Sequence, residues 1–385
     1  MMNDNPVIRW NEEGEEKSAR WRSESGLPPP RRVVIADDRM TADAAYRLAC
    51  EGTALLWRGD FQNARQLLHA MTRRANEKPS ARKNKRIPAS PTEAFHLHRL
   101  AQSQRARTLG LLLIPFNADH CTPLRRAPDV RQACMEAYGP ETESQPYIAS
   151  LRGLQGIIGA YEWRKNGVEV PTLGARIHPH YGVFAPIRNE YIGLVNDAPL
   201  PDLTATQSVA FDIGTGTGVL AAVLARRGIK RIVATDQDER ALACARENLT
   251  RLGLAAQVDV VQVDLFPEGR ASLIVCNPPW VPARPSSPLE HAVFDPGSHM
   301  LLGFINGLAA HLENGGEGWL ILSDLAEHLG LRSRGELLTA INVAGLKVLG
   351  KIDVKPHHPR VSDASDPLHT ARAAELTSLW RLAVK

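Results

Sequence analysis

Polar and apolar positions change rhythm several times along this chain of 385 residues. Residues 1–40 are charged and poor in periodic apolar positions. They include Leu27-Pro28-Pro29-Pro30-Arg31-Arg32, whose prolines block helix and ladder donation, so a flexible tail is expected. From Thr41 onward Ala44, Ala45, Leu48, Ala49, Leu55 and Leu56 fall at roughly helical spacing until Gly59-Asp60 interrupts them. Phe61, Ala64, Leu67, Leu68 and Met71 mark a second amphipathic helix, and the two helices are expected to pack as a hairpin. Further helices are expected over 92–110 and 129–138. The short apolar run Leu111–Phe116 fits either a strand or a buried helix end. A hinge at Gly139-Pro140 closes what reads as a mainly helical N-terminal domain, 41–145.

Residues 146–206 read as a connector, with a helix over 150–163 and short strand-like pieces at 168–170 and 175–177. From Gln207 the rhythm becomes strand, glycine turn, helix, strand, acid, helix, strand, then further strands through Leu273–Cys276, Trp319–Leu322, 346–354 and 378–383. Strands alternating with helices predict an α/β domain, 207–385. Its sheet should be doubly wound and mostly parallel, covered on both faces.

Composition narrows the class. Hydrophobic residues make up 43% and charged residues 23%, as in an ordinary globular protein. The formal charge of +4 does not by itself demand a nucleic-acid partner. Five cysteines without a C-x-x-C pair argue against a disulfide framework or a zinc knuckle. The polar, acidic N-terminus is no signal peptide and no run is long enough to cross a bilayer, so a cytoplasmic location is expected.

Two motifs carry the chemistry. Phe211-Asp212-Ile213-Gly214-Thr215-Gly216-Thr217-Gly218 follows the apolar start of a strand and precedes the helix Val219–Leu224. The glycines permit a tight turn and close ligand approach at the carboxyl end of a strand, where open α/β sheets bind ligands. Asp236 ends the next strand, and its two acceptor oxygens suit both hydroxyls of a ribose. Asp264 ends the third and suits an adenine amino group, with Leu265 packing beside the ring. Asp212, Gly214, Thr215, Gly216, Gly218, Asp236, Gln237, Asp264 and Leu265, with Asn277, form the expected cofactor set. The G-x-G-x-G spacing puts Val219 where a dinucleotide fingerprint needs its third glycine. Asp238 reads as a helix N-cap instead.

The second motif is Asn277-Pro278-Pro279-Trp280, at the end of the strand Leu273–Cys276. An amide or aromatic amine is a poor nucleophile because its lone pair is delocalised. The Asn277 side-chain carbonyl and the Pro278 backbone carbonyl offer two acceptors for NH2 hydrogens, and paired prolines preorganise them. Trp280 offers a flat face for stacking, or serves only as a lid. These four are the expected catalytic residues.

Together the motifs resemble those of S-adenosylmethionine-dependent amino-methyltransferases. Residues about 160–325 resemble the HemK-type N5-glutamine methyltransferases and the wider small-methyltransferase-domain group. In that family a short hairpin and a Pro-x-x-x-Glu segment precede the glycine turn. Here Tyr181-Gly182-Val183-Phe184-Ala185-Pro186-Ile187-Arg188-Asn189-Glu190 is similar, and Phe184, Pro186, Glu190 and Trp280 are the expected acceptor contacts. The family's usual Arg-Pro is Ala185-Pro186 here, Asn189 replaces its Thr, and Trp280 replaces its tyrosine. The resemblance implies a class I, Rossmann-like, seven-stranded sheet, S-adenosylmethionine as cofactor and an N-terminal domain that recognises a macromolecular substrate. A protein glutamine is the first expected acceptor; an exocyclic amine of an rRNA, tRNA or DNA base and a small molecule remain open, as does a non-catalytic cofactor-binding module.

The basic run from Arg73 to Arg107 suits phosphates or simply a solvated loop, and aromatics are sparse within it. His178-Pro179-His180 and His357-His358 lack accompanying ligands at metal spacing, so no metal is expected.

Overall fold

The computed structural model describes residues 6–77, 88–140, 145–201, 209–285, 290, 292–357 and 363–385. The basic run at 82–86 lies outside them. The chain divides into two compact units: 1–87 with 97–162, and 88–96 with 163–385.

The first unit is built on a sheet. Its elements are β1 (Val7–Glu12), β2 (Glu15–Arg22), β3 (Arg32–Ala36), α1 (Ala42–Cys50), β4 (Thr53–Trp57), α2 (Phe61–Asn76), most of α3 (Pro91–Leu109), β5 (Leu112–Phe116), α4 (Arg131–Tyr138), β6 (Tyr147–Ser150) and most of α5 (Leu151–Asn166). The strand order is β1-β2-β6-β5-β4-β3. Helices α1 to α4 lie between residues 41 and 145, but three expectations fail. The supposed tail forms three strands. Buried Ile8 and Trp10 alternate with exposed Val7, Arg9 and Asn11, a half-buried pattern too short to stand out among the charges around it. Glu13 and Gly14 both take positive φ between β1 and β2, making a tight hairpin turn. The expected helical hairpin is interrupted, because Leu55 and Leu56 lie on a fully buried strand and face opposite layers of core. The domain does not end at Gly139, since β6 fills the sheet between β2 and β5.

The second unit has the expected doubly wound form. After a short antiparallel pair, β7 (Val168–Val170) and β8 (Ala175–Ile177), come α6 (Glu190–Asp197), β9 (Val209–Ile213), α7 (Val219–Arg226), β10 (Arg231–Asp236), α8 (Glu239–Arg251), β11 (Val258–Gln262) and β12 (Ala271–Cys276). Then follow α9 (His299–His311), β13 (Leu312–Ser323), α10 (Leu325–His328), α11 (Arg334–Val343), β14 (Leu346–Val354), α12 (His369–Ala374) and β15 (Thr377–Val384). The seven strands run β11-β10-β9-β12-β13-β15-β14, with β15 antiparallel to both neighbours. Ala210, Leu273, Val275, Trp319 and Ile321 enter the core with α6 and α7. Phe211, Ile213, Ile274, Cys276 and Leu320 enter the opposite one with α9 and α11. This period of two buries both faces. The chain leaves β9 towards β10 and β11, then crosses back to β12, so a topological switch point lies between β9 and β12. Among the described residues no helix is long and apolar enough to cross a membrane.

Candidate active site

Sheet register places the two motifs side by side. Ile213 pairs with Thr235 on one flank and Cys276 on the other. Gly214, Asp236 and Asn277 are therefore the next residues at the tips of three adjacent strands, about 4.8 Å apart from strand to strand. They line one cavity of about 1060 Å³. That volume is at the upper end for small-molecule sites, with room for a cofactor beside a second molecule.

Thr215, Gly216, Gln237, Asp264, Leu265 and Phe184 line the cavity too, as do all four residues of the Asn-Pro-Pro-Trp turn. Gly216 has φ +56° and open space where a Cβ would stand. The Asp236 carboxylate accepts from Gly216 N at 3.1 Å and Asp238 N at 3.0 Å. Those two bonds leave acceptor capacity for hydroxyls. Burial pushes its pKa up, the amides of Asp238 and Gly216 pull it down, and the Asp238 charge adds to the rise. Leu265 holds φ +66°, unusual for a side-chain-bearing residue, and its carbonyl takes the Thr235 hydroxyl at 2.6 Å. The set fits a nucleoside-type cofactor.

Four expected contacts lie off the cavity wall. Asp212 is 1% exposed, and its Oδ2 accepts from Thr215 Oγ1 at 2.6 Å and Ala221 N at 3.1 Å. It ties the glycine turn to the first turn of α7. Its pKa is pushed up to about 6 by burial, against the two hydrogen bonds and with the Asp236 charge. Gly218 caps α7 with φ +79°, and a Cβ there would meet the Ala245 backbone at 3.2 Å, so it serves helix packing. Pro186 does not line the cavity, and Glu190 instead accepts from Arg188 Nε at 3.0 Å.

The Asn-Pro-Pro-Trp turn carries an unforeseen bond. Trp280 Nε1 donates to Asn277 Oδ1 at 2.9 Å. An indole N–H only donates, so the amide oxygen must face it and the orientation of Asn277 is settled. One oxygen lone pair is engaged and the other is available.

Several wall residues were not anticipated: Arg188, Tyr191, Arg240, Asp295, His299, Met300 and Arg372. Asp295 Oδ2 accepts from Met300 N at 3.0 Å and Leu301 N at 3.2 Å at the start of α9. The run Asp295-Pro296-Gly297-Ser298 before an apolar helix was the available signal. Residues 88–96 also join this unit: Phe95, 4% exposed, clusters with Val281, Leu325 and Leu329, against which Trp280 and Phe294 pack. His178 and His180 tie the segment after β8 to α8. His178 N donates to Asn248 Oδ1 at 2.7 Å, and His180 Nε2 meets Glu247 Oε2 at 2.7 Å. Asp238 is an N-cap as expected, accepting from Arg240 N at 2.9 Å.

Comparison with known proteins agrees with this geometry. Residues 177–331 match the family model "Methyltransferase small domain". The release factor glutamine methyltransferase of Cereibacter sphaeroides is 34% identical over 181 residues, 43% of this chain and 62% of that protein. The enzyme of the same name from Mycolicibacterium smegmatis is 38% identical over 134 residues, 33% of this chain and 46% of that protein. The ribosomal protein L11 methyltransferase of Pelotomaculum thermopropionicum is 49% identical over 69 residues, 17% and 22% of the two chains. The chain thus spans less than two thirds of each of these relatives. Residues 177–331 are thus similar to the methyltransferase small domain, and they lie in a unit whose doubly wound, seven-stranded sheet is Rossmann-like.

Proposed function

We propose that this chain is an S-adenosylmethionine-dependent N-methyltransferase acting on a planar amide or amine nitrogen, and that its acceptor is a protein glutamine side chain. The reading rests on one observation: Asn277 stands one residue past the Cys276–Ile213 pair, beside the glycine turn and in the same cavity. The printed names of the release factor relatives favour glutamine.

When bound, S-adenosylmethionine supplies an electrophilic methyl on a sulfonium sulfur. The protein's own task is positioning. Asp236 takes the ribose hydroxyls, Asp264 the adenine amino group, and Leu265 packs on the ring. The turn Gly214–Gly216 leaves its backbone open to the amino-acid end. On the other side, Asn277 Oδ1 uses its remaining lone pair, with the Pro278 carbonyl, to hold two NH2 hydrogens. The nitrogen lone pair then points towards the methyl. Trp280 and Phe184 border the acceptor with flat apolar faces. Forming the nitrogen–methyl bond would break the methyl–sulfur bond and release S-adenosylhomocysteine, and the nitrogen would give up its extra proton to water, so the arrangement asks for no strong base.

The test is transfer of labelled methyl from S-adenosylmethionine into fractionated lysate. Label in protein, recovered as N5-methylglutamine after digestion, is the expected result. Label confined to RNA, DNA or metabolites would replace the glutamine reading. Cofactor binding without any labelled product would favour a binding module.

A further inference from the structure

We propose that Arg188 is a positioning residue for methyl transfer: clamped by Glu190 and Glu375, it holds the Trp280 indole, whose N–H in turn aims the Asn277 amide at the acceptor. The proposal rests on the function proposed above and adds a chain of residues that the two motifs do not contain.

The chain begins in the core. Glu375, 3% exposed, accepts at Oε1 from Ser323 Oγ at 2.7 Å and from Arg188 Nη2 at 3.1 Å. Arg188 Nε donates to Glu190 Oε1 at 3.0 Å. The two carboxylate side chains are only 2% and 6% exposed. Buried carboxylates are costly without a partner, so Arg188 cannot swing away without stranding both. Its guanidinium is pinned in a plane by donors of fixed geometry. The centre of that plane lies 5.2 Å from the Trp280 ring centroid, within the range of a cation–π contact. Arg188 and Trp280 both line the cavity. The indole therefore has a cation against its ring and the Asn277 oxygen at its N–H. Ser323 ends β13, Glu375 follows α12 and Glu190 opens α6, so the clamp is anchored on three elements.

The link matters because Asn277 is the acceptor-holding group. A free amide side chain samples rotamers and both flips; here one bond from Trp280 selects a single orientation. Lysine at 188 would keep the charge but could not reach both carboxylates while presenting a flat face to the ring.

The experiment uses full-length, 15N-labelled protein. Seven tryptophans give seven indole N–H signals, few enough for the Trp280 signal to be assigned by its loss in Trp280→Phe. Hydrogen exchange of that signal is compared in wild type, Asn277→Ala, Arg188→Ala and Arg188→Lys, alongside single-turnover methyl transfer and S-adenosylmethionine affinity. Exchange should quicken about tenfold or more in Asn277→Ala and Arg188→Ala. Transfer in Arg188→Ala should fall roughly 10- to 100-fold with cofactor Kd within about twofold, and lysine should rescue little. Unchanged indole exchange in Arg188→Ala, unchanged transfer, or cofactor affinity falling in step with transfer would overturn the proposal. If the alanine variant does not fold, Glu190→Gln, which removes one arm of the clamp and keeps the arginine, is read by the same measurements. Indole exchange needs no acceptor, so the clamp stands or falls separately from the identity of the substrate.

Discussion

Gly214 and Asn277 are the first residues past the sheet on two neighbouring parallel strands, because Ile213 and Cys276 are direct register partners. Sixty-three positions of sequence separate them, yet the ladder sets them side by side. The glycine turn and the Asn-Pro-Pro-Trp turn thereby line one cavity while standing on separate strand tips.

Separate tips should give separable defects. Asp236→Ala removes the carboxylate assigned to ribose and should weaken S-adenosylmethionine binding by roughly 10- to 100-fold, the scale of charge-assisted hydrogen bonds. Asn277→Ala should lower single-turnover transfer by about 100-fold or more with cofactor affinity nearly unchanged. Calorimetric titration and labelled transfer on both variants check this; matching defects in the two would contradict the division.

The glycines should also divide by role. Gly216 has φ +56° and an open Cβ position, so Gly216→Ala should cost about 1 kcal/mol of backbone strain and chiefly lose cofactor affinity. Gly218→Ala would press a methyl on Ala245 in α8 at φ +79° and should chiefly lower the unfolding temperature. Thermal unfolding and titration of the two variants give the comparison.

Asp212 makes stability depend on pH. Its folded pKa of about 6 stands above an ordinary 3.8 because it is buried. A raised carboxyl favours folding below the unfolded value, and that advantage disappears as pH climbs through the folded value. Between pH 4 and pH 7 this group should withdraw about 2 kcal/mol, most of the full shift at roughly 1.4 kcal/mol per pKa unit. Asp212→Asn keeps an oxygen for Thr215 and Ala221 but cannot ionise. The stability difference between variant and wild type should shift by that amount in the variant's favour from pH 4 to 7, measured by urea unfolding.

Phe95 lies far from both motifs in sequence but belongs to the wall behind Trp280 and Val281. Phe95→Ala should destabilise the second unit by about 3 kcal/mol, through a cavity in a buried cluster. Transfer should suffer more than cofactor binding. Denaturant unfolding with parallel activity assays tests this, and an unchanged transition midpoint would count against the packing role.

Legibility followed locality. The glycine turn, the strand-end acids and the Asn-Pro-Pro-Trp turn were readable because each is a short segment whose backbone chemistry is written in adjacent residues. The first two strands were missed because Ile8, Trp10 and Trp21 stand singly among polar and charged neighbours such as Arg9, Asn11, Arg20 and Arg22. Leu55 and Leu56 mimic a helical stripe until their neighbours in the sheet bury both sides of the strand.

Strand–helix alternation and the two turn motifs were enough to establish a doubly wound sheet and where along the chain the strand tips that line its cavity fall, since periodicity and turn chemistry are local properties. Which side chains touch at those tips was settled by packing. Asp212 turned inward because its carboxylate found Thr215 and the amide of Ala221, and Arg188 became part of the wall because Glu375, 187 residues away, holds it. Such pairings depend on distances across the folded core, and no spacing along the chain encodes them.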